Sequence, residues 1–247
     1  MSKIRITTDG LVIKETSTGE NDRLITIITR DYGVINAFAK GVKSIKSKRS
    51  PATSLLAYSS FSIENKGSTY RIVEASVNKV FFGVGSDILV LSIAQYFCEL
   101  CNVLRPIDNE SSEFLRLILN SLHFLTDKKR NPELIKAITE LRVAVIAGYA
   151  PNLIACNGCG KFEDNIMYFK FDNGLLYCKD CHTENCSVIN LTVLKAMRHI
   201  VYSKFESLYA FDIPDADAKE LSKVCEKYVT YQTEHKFSTL EFLRGLI

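Results

Sequence analysis

The 247-residue sequence has no apolar run long enough to cross a membrane. Its longest apolar stretch, residues 88–103, is interrupted by Ser92, Gln95 and Glu99 and is shorter than the roughly 20 residues that a spanning helix needs. Residues 1–5 alternate apolar and polar side chains and therefore lack the apolar region of a signal peptide. We expect a cytoplasmic protein whose cysteines stay reduced.

Three common catalytic motifs are also absent from the sequence. It has no G-x-x-x-x-G-K-[ST] phosphate loop, no G-x-G-x-x-G that opens a helix after a strand, and no G-x-S-x-G elbow. These absences argue against an ATP motor, a dinucleotide enzyme and an α/β-hydrolase. The triplet His182-Thr183-Glu184 matches the H-x-E of zinc deaminases, but in those enzymes it precedes the cysteine pair. Here it follows both cysteine pairs, so deamination is disfavoured.

Acidic residues are missing from position 32 to position 63, within a part of the chain that is basic overall. Residues 1–80 carry 13 Lys or Arg against seven Asp or Glu, a net charge of +6, whereas residues 81–247 carry −3. This asymmetry indicates a polyanion partner at one end of the molecule. The segment 40–50 adds Ser and Gly to its basic residues, which makes it flexible enough to follow a phosphate backbone. The alternative is that the segment is simply a solvated surface.

The chemistry that is present lies in two C-x-x-C pairs. Cys156 and Cys159 form the first pair, Cys178 and Cys181 form the second, and 18 residues separate the pairs. Each pair folds into a tight knuckle that presents two sulfurs, and two knuckles complete a tetrahedral four-thiolate zinc shell. Because a closed shell has no position for water or substrate, we expect one structural Zn²⁺ per chain. The alternative is a chance pair of motifs with buried thiols.

The other candidate ligands fit the metal site less well. His182 and Cys186 could substitute as ligands, but Cys178 and Cys181 already complete the second knuckle, so we interpret His182 and Cys186 as bystanders. A third C-x-x-C, formed by Cys98 and Cys101, lies in an apolar helical stretch where residues three apart share one buried face. We expect this pair, and also Cys225, to pack in the core.

The first 80 residues have the periodicity of β-strands. Strands are predicted at 4–15, with a break at Asp9-Gly10, and at 23–29, 34–39, 60–65 and 70–80. Turns at 31–33 and 66–68 indicate two hairpins. Five strands with a long basic connection before the fourth suit a small barrel of the OB type, although an SH3-like barrel would give much the same pattern.

After residue 85 the periodicity becomes helical. Helices are predicted at 88–104, near 114–125, from Pro132 onward, and at about 191–206 and 215–235, with a hairpin between the two cysteine knuckles. The expected fold class is α+β: an N-terminal OB-fold barrel followed by a helical domain with an inserted four-cysteine zinc module. The expected domains are 1–80 for the barrel, 81–153 and 187–247 for the two parts of the helical domain, and 154–186 for the zinc module.

Short motifs spread over nearly the whole chain carry a family resemblance. They are Glu15 with Gly19–Leu24, Thr29–Gly33, Ala39–Gly41, Pro51 with Leu55 and Tyr58, Leu141-Arg142, Gly148–Leu153, Cys156–Gly160, Asn173–Cys178 and Ser238–Leu243. Each motif is only moderately specific, but their order over the whole length is highly specific. On these residues the chain resembles the bacterial DNA repair and recombination mediator family RecO.

The resemblance implies a nucleoid-associated protein that is not an enzyme. It implies binding of single- and double-stranded DNA and annealing of complementary strands. It also implies work with RecR to load RecA onto DNA coated by single-stranded DNA-binding protein, whose C-terminal tail the family grips. The alternative from another class is a zinc-ribbon enzyme that modifies nucleic acid.

The basic residues of the barrel are the expected DNA contacts. They are Arg23, Arg30, Lys40, Lys43, Lys46, Lys48 and Arg49. Relatives often have arginines after the Lys-Gly of the third strand, where this chain has mostly lysines. Lysine attracts phosphate as a point charge but lacks the planar, bidentate contacts of a guanidinium. We therefore expect DNA binding to be largely ionic and sensitive to salt.

Overall fold

The computed structural model describes residues 4–44, 46–66, 69–81, 84–85, 87–182 and 184–245. The chain forms two compact units, one comprising Met1–Thr126 with Ser238–Ile247 and the other comprising Asp127–Phe237. The four-part domain division expected from the sequence stays a prediction. None of the described helices is both long and apolar enough to cross a membrane.

A five-stranded barrel forms most of the first unit. Its strands are β1 (Ile4–Thr18), β2 (Asp22–Thr29), β3 (Val34–Ala39), β4 (Ala57–Lys66) and β5 (Thr69–Val80). The barrel is closed in the order β1-β2-β3-β5-β4, with β3 parallel to β5 and the other neighbours antiparallel. This order is that of the OB-fold. The predicted α+β class with an N-terminal OB-fold barrel is confirmed.

The predicted break in β1 is wrong, because Gly10 continues the strand. A Cβ atom at Gly10 would lie 2.6 Å from Cγ2 of Ile27 and 2.8 Å from the carbonyl oxygen of Ile28. The glycine is therefore needed where β2 approaches closely, a role that glycine often has inside strands. The predicted turn at 66–68 includes residues 67 and 68, which lie outside the described residues.

Alternating side chains of the strands fill the barrel. The buried cluster consists of Val12, Ile25, Ile27, Ile35, Ala37, Ala39, Val42, Phe61, Ile63 and Ile72. On β3 the alternation is regular, so Ile35, Ala37 and Ala39 point inward while Asn36 and Phe38 point outward. The core thus takes one face of β3, whereas residues 25–29 of β2 and 10–13 of β1 are buried on both faces.

The described residues contain six α-helices. They are α1 (Ile88–Leu104), α2 (Asp108–Asp127), α3 (Pro132–Ile146), α4 (Leu191–Tyr202), α5 (Asp215–Thr233) and α6 (Ser238–Arg244). Asp87 caps α1 by accepting hydrogen bonds from the amides of Leu89 and Val90. Helix α2 begins six residues before the predicted start, because its first turn is polar. Ser111 in that turn is buried and donates a hydrogen bond to the carbonyl oxygen of Thr29.

The second unit combines α3, α4 and α5 with a small sheet. The sheet has the order β7-β6-β8, from β6 (Ile166–Lys170), β7 (Leu175–Tyr177) and β8 (Cys186–Asn190). A buried ion pair network joins α3 to α5, since Nζ of Lys136 lies 2.9 Å from Oε1 of Glu140 and 2.7 Å from Oε2 of Glu226. Burial alone would lower the pKa of Lys136, but the two carboxylates outweigh it and raise this pKa, so the lysine stays charged.

Candidate metal centre and nucleic-acid interface

The four cysteines of the two C-x-x-C pairs meet at one place in the second unit. The sulfur atoms of Cys156, Cys159, Cys178 and Cys181 all lie within 4.8 Å of one another. Those of Cys159 and Cys178 are 3.7 Å apart. A tetrahedral shell with Zn–S bonds of about 2.3 Å has sulfurs about 3.8 Å apart, which matches this spacing. The cluster could therefore hold a metal ion.

Glycines shape the first cysteine knuckle. The backbone of Gly160 has φ +75°, a left-handed conformation that favours glycine. Its amide donates to the carbonyl oxygen of Cys156 at 2.9 Å, while the amide of Cys156 donates to the carbonyl oxygen of Lys161 at 2.8 Å. Gly158 leaves room for the second knuckle, because a Cβ there would lie 2.8 Å from Cβ of Cys181. The chain is thus turned tightly enough to direct both sulfurs inward.

The electrostatics of the cluster favour a bound cation. Burial raises the pKa of Cys156, but hydrogen bonds from the amides of Cys178, Cys159 and Gly158 outweigh it and lower this pKa to about 6. Hydrogen bonds with the Cys159 and Cys178 thiols instead raise the pKa of Cys181 to about 12. Four adjacent thiols cannot all ionise unaided, whereas a coordinated metal deprotonates its thiol ligands. The donor set therefore fits a thiophilic metal ion.

His182 and Cys186 lie outside the sulfur cluster, as expected. The Nδ1 atom of His182 is 2.7 Å from the carbonyl oxygen of Lys179, and its ring stacks on Tyr168 with centroids 3.9 Å apart. Cys186 belongs to β8, a strand that was not predicted. The three cysteines expected in the core, Cys98, Cys101 and Cys225, are all buried.

Arg198 of α4 holds the segment around the first knuckle. Its Nε donates to the carbonyl oxygen of Leu153 at 2.7 Å, and its Nη2 donates to the carbonyl oxygens of Ile154, at 2.9 Å, and of Phe162. The guanidinium carbon also lies 4.1 Å from the centroid of the Phe162 ring. The sequence gives no signal for this role, because an arginine on an amphipathic helix has no local pattern that indicates such a partner.

The basic connection, which we define as residues 40–50 without residue 45, leaves β3 on the outside of the barrel. Its four lysines, Lys40, Lys43, Lys46 and Lys48, are all exposed. Within the described parts of the chain, none of their ammonium groups forms an ion pair or a hydrogen bond. Four uncompensated positive charges therefore project into solvent from one short segment.

Arg23 of β2 anchors the C-terminal end of the basic connection. Its Nη1 donates to the carbonyl oxygen of Ser50 at 3.0 Å and to the hydroxyl oxygens of Thr53 and Ser54, each at 3.2 Å. The side chain is half-buried, and all three contacts are made by Nη1. The structure thus gives Arg23 an internal role beside the expected contact with DNA.

Arg49 anchors the same connection against β5. Its Nη1 donates to the carbonyl oxygens of Ile72 and Val73 at 3.3 and 3.1 Å. Its Nη2 donates to the carbonyl oxygen of Lys40 at 2.9 Å, which ties the two ends of the connection together. Counting charges along the sequence cannot separate such an anchoring arginine from a lysine that stays in solvent.

Arg30 lies in a third environment, between two carboxylates. Its Nε lies 3.3 Å from Oδ1 of Asp31, and its Nη1 lies 3.7 Å from Oδ2 of Asp9. The hydrogen bond and the charge of Asp31, followed by the charge of Asp9, raise the pKa of Arg30. Its positive charge is therefore offset locally.

Aromatic residues near the basic connection divide between the core and the surface. Phe61 is buried in the barrel, whereas Phe38 on β3 is 40% exposed. Phe38 pairs with the exposed Arg71 of β5, and the exposed Lys40 follows two residues later in the turn after β3. OB-folds bind nucleic acids on the face of their second and third strands. An exposed ring that pairs with an arginine is a suitable stacking surface there.

Comparisons with known proteins cover both units. Residues 1–81 match the family described as Recombination protein O N terminal, and residues 85–241 match the family described as Recombination protein O C terminal. DNA repair protein RecO of Acetivibrio thermocellus is 32% identical over 241 residues, which are 97% of this chain and 96% of that protein. DNA repair protein RecO of Caldicellulosiruptor bescii is 27% identical over 97% of this chain and 98% of its own length.

Proposed function

The chain belongs to the RecO family of DNA repair and recombination proteins, and from this membership we propose that it acts as a recombination mediator that catalyses no reaction itself. It binds single- and double-stranded DNA and anneals complementary strands. The observation that carries this proposal is the row of four exposed, unpaired lysines on an OB-fold barrel, beside the exposed Phe38.

We propose that these lysines contact phosphates while two of the arginines keep the segment in place. Lys40, Lys43, Lys46 and Lys48 neutralise phosphates, and the release of counterions drives binding. Arg23 and Arg49 hold the connection against the barrel, because their donors bind internal oxygens. Arg30 adds a weaker contact, since Asp31 and Asp9 offset its charge. Such contacts carry no sequence information, which suits a protein that acts on any damaged DNA.

Annealing by this route requires no catalytic group. A cationic surface that holds two strands lowers their mutual repulsion and raises their local concentration. Ammonium groups on flexible lysine stems bind phosphates without fixed geometry, so a strand can slide until its bases find their complement.

Family membership also supports a set of partners. We propose that the protein works with RecR to load RecA onto DNA coated by single-stranded DNA-binding protein, and that it contacts the C-terminal tail of that coating protein. The place of action is then the cytoplasm, at the nucleoid.

We propose that the sulfur cluster binds one Zn²⁺ that has a structural role. Four thiolates in tetrahedral positions are the preferred shell of zinc, and a full shell leaves no position for substrate. When bound, the ion supplies cross-linking of the two knuckles and no reaction chemistry. Cys156, Cys159, Cys178 and Cys181 would hold it.

Strand annealing tests the proposed function directly. Two complementary single strands, one with a donor dye and one with an acceptor dye, are mixed with the purified full-length chain in the absence of nucleotide. The expected result is faster energy transfer than without protein, with both strands recovered unmodified. An unchanged annealing rate would contradict the proposal, and cut strands or altered bases would favour the nucleic-acid-modifying enzyme instead.

A further inference from the structure

Helix α5 of the second unit carries a row of exposed residues at four-residue spacing. Lys219, Lys223, Lys227 and Tyr231 are all exposed, and the Tyr231 residue is 53% accessible. Residues four apart lie on neighbouring turns of a helix, so the row forms one stripe. We call this stripe the lysine ridge.

The acidic residues of α5 are occupied elsewhere. The carboxylate of Glu226 lies 2.7 Å from the ammonium of the buried Lys136. The carboxylates of Asp217 and Glu220 accept hydrogen bonds from the side-chain amide of Asn190 at 2.8 and 3.1 Å. The carboxylate of Asp215, four residues before Lys219, accepts one from the side-chain amide of Asn131 at 2.6 Å. A solvated helix face usually alternates charges of both signs, whereas this row presents only positive ones from Lys219 to Lys227.

The ridge lysines themselves have no acidic partner. Residues 127–182 and 184–237, as the structure describes them, form no ion pair with Lys219, Lys223 or Lys227. The ammonium of Lys227 instead lies 4.4 Å from the centroid of the Phe171 ring, a cation–π contact that orients it. The ridge is therefore an uncompensated cationic surface with an exposed aromatic ring at one end.

The spacing of the ridge suits a nucleic-acid strand. Four residues of an α-helix rise about 6 Å, and two phosphates of one stacked strand rise roughly 7 Å. Successive lysines can therefore reach every second phosphate. Tyr231 offers a ring on which any base can stack, because every base has an aromatic face.

We propose that the lysine ridge binds the sugar–phosphate backbone of a single strand of nucleic acid, as a second site separate from the basic connection. The inference rests on the proposed function and deepens it, since annealing needs two strands held by the same protein. The first strand occupies the barrel and the second occupies α5.

A two-strand capture assay tests the ridge. The full-length chain is saturated with a donor-labelled oligothymidine, and an acceptor-labelled oligothymidine, which cannot pair with it, is then titrated. Wild-type protein is expected to give energy transfer between the two strands. The Lys219→Gln, Lys223→Gln, Lys227→Gln variant should still bind the first strand, but its second-strand affinity should fall about tenfold or more and its salt slope by about 2.

A matched variant separates the ridge from net charge alone. Neutralising Lys128, Lys195 and Lys204 to Gln removes three exposed lysines of the same unit that lie outside α5, and it should leave second-strand capture unchanged. Thermal unfolding of all three proteins checks that they are folded.

Each contrary outcome has a distinct meaning. Equal second-strand capture by wild type and the ridge variant overturns the ridge proposal and leaves an acidic protein as the occupant to consider. Equal losses in the ridge variant and the matched variant also overturn it, because net charge would then be sufficient. Failure of wild type to bind any strand would instead overturn the proposed function together with the ridge.

Discussion

Gly158 and Cys181 lie so close that a single added carbon would separate the two cysteine knuckles. A Cβ built at Gly158 would lie 2.8 Å from Cβ of Cys181 and 3.0 Å from its sulfur. Since the first of these neighbours is fixed to the backbone, a side chain at Gly158 must displace the second knuckle. The absence of a side chain at one position therefore fixes the geometry of a cluster whose two cysteine pairs are separated by 18 residues in sequence.

The variant Gly158→Ala should bind metal more weakly. Displacing one knuckle spoils the tetrahedral arrangement of the sulfurs, and changes around a metal shell typically lower affinity about 10- to 100-fold. Competition with a chromophoric zinc chelator measures this change. The control is Asn157→Ala, which changes an exposed neighbour and should match wild type. The backbone amide of residue 157 keeps its hydrogen bond to the carbonyl oxygen of Leu176 in this variant. Equal affinities for both variants would contradict the argument.

Removing one ligand should remove the metal and lower stability. Cys159→Ser is the informative change, because Cys159 is exposed and its loss leaves no cavity. A ligand that binds only the folded state contributes about 4 kcal/mol at a thousand times its dissociation constant. Native mass spectrometry should show one zinc per wild-type chain and none in the variant.

Thermal unfolding with and without EDTA completes the test of the metal. EDTA should lower the Tm of wild type toward that of Cys159→Ser and leave the variant unaffected. The control is Cys186→Ser, which changes a cysteine outside the sulfur cluster. This variant should keep both its zinc and the lowering of Tm by EDTA. A fully folded, metal-free wild type would refute the assignment.

Reversing two charges of the basic connection should weaken DNA binding and its dependence on salt. Each lost phosphate contact lowers the log–log salt slope by about 0.7 for single strands, so Lys43→Glu with Lys46→Glu should lower it by about 1.4. Fluorescence anisotropy of an oligothymidine at several salt concentrations gives the slope. The control variant is Lys195→Glu with Lys204→Glu, which changes two exposed lysines of the second unit. It should leave the salt slope unchanged. An unaltered slope in the first variant would remove these lysines from the binding surface.

Arg49 and Lys48 are adjacent basic residues that should respond differently to substitution. Arg49→Ala loses hydrogen bonds to three carbonyl oxygens, and a hydrogen bond to a charged group contributes about 1.5–3 kcal/mol. We expect urea unfolding to show a stability loss of about 2 kcal/mol. Lys48→Ala should leave stability unchanged and lower the salt slope by about 0.7. If Arg49→Lys kept full stability, its charge rather than its anchoring geometry would be what matters.

Stability at acidic pH should depend on Glu99 of α1. Its carboxylate accepts hydrogen bonds from the amides of Ser238 and Thr239 at 3.1 and 3.0 Å, and also from both hydroxyls. Burial raises the pKa of Glu99, but these hydrogen bonds outweigh it, and the folded-state pKa is lowered. The resulting stabilisation is therefore present above the unfolded pKa of about 4.3 and is lost as the pH falls through the lower folded value.

The Glu99→Gln variant checks this pH dependence. Its free energy of unfolding should lie below that of wild type at pH 7, and the difference should shrink as the pH falls below about 4. Urea unfolding at several pH values measures it. Glu110→Gln, an exposed glutamate of α2, should keep the wild-type profile. A difference that stays constant with pH would mean that ionisation of Glu99 does not matter.

The sequence predicts those features whose cause is local. The cysteine quartet follows from spacing, since a C-x-x-C knuckle is formed by four consecutive residues. The bounds of α1, 88–104, follow from a largely apolar stretch between Asp87 and Pro106. Strands β3 and β4 likewise follow from alternation, because one face of each is buried.

Features whose cause is a distant partner could not be predicted in this way. Gly10 looks like a strand break until Ile27 is known to lie against it. The internal contacts of Arg23 and Arg49 could not be read from the sequence, because the carbonyl oxygens of Ser50 and Ile72 lie 27 and 23 residues away from them. Strand β8 was missed because its five residues, Cys186–Asn190, have no strong alternation and gain their pairing only from β6.

The parallel pairing between β3 and β5 is the shortest ladder of the barrel. It joins Ala37 to Tyr70 and Phe38 to Arg71, a much shorter ladder than those between the other neighbours. Phe38 and Arg71 are both exposed, so a nucleotide bound across them would connect the two strands. Occupancy of this surface and closure of the barrel would then be thermodynamically linked, and DNA would tighten the domain that holds it.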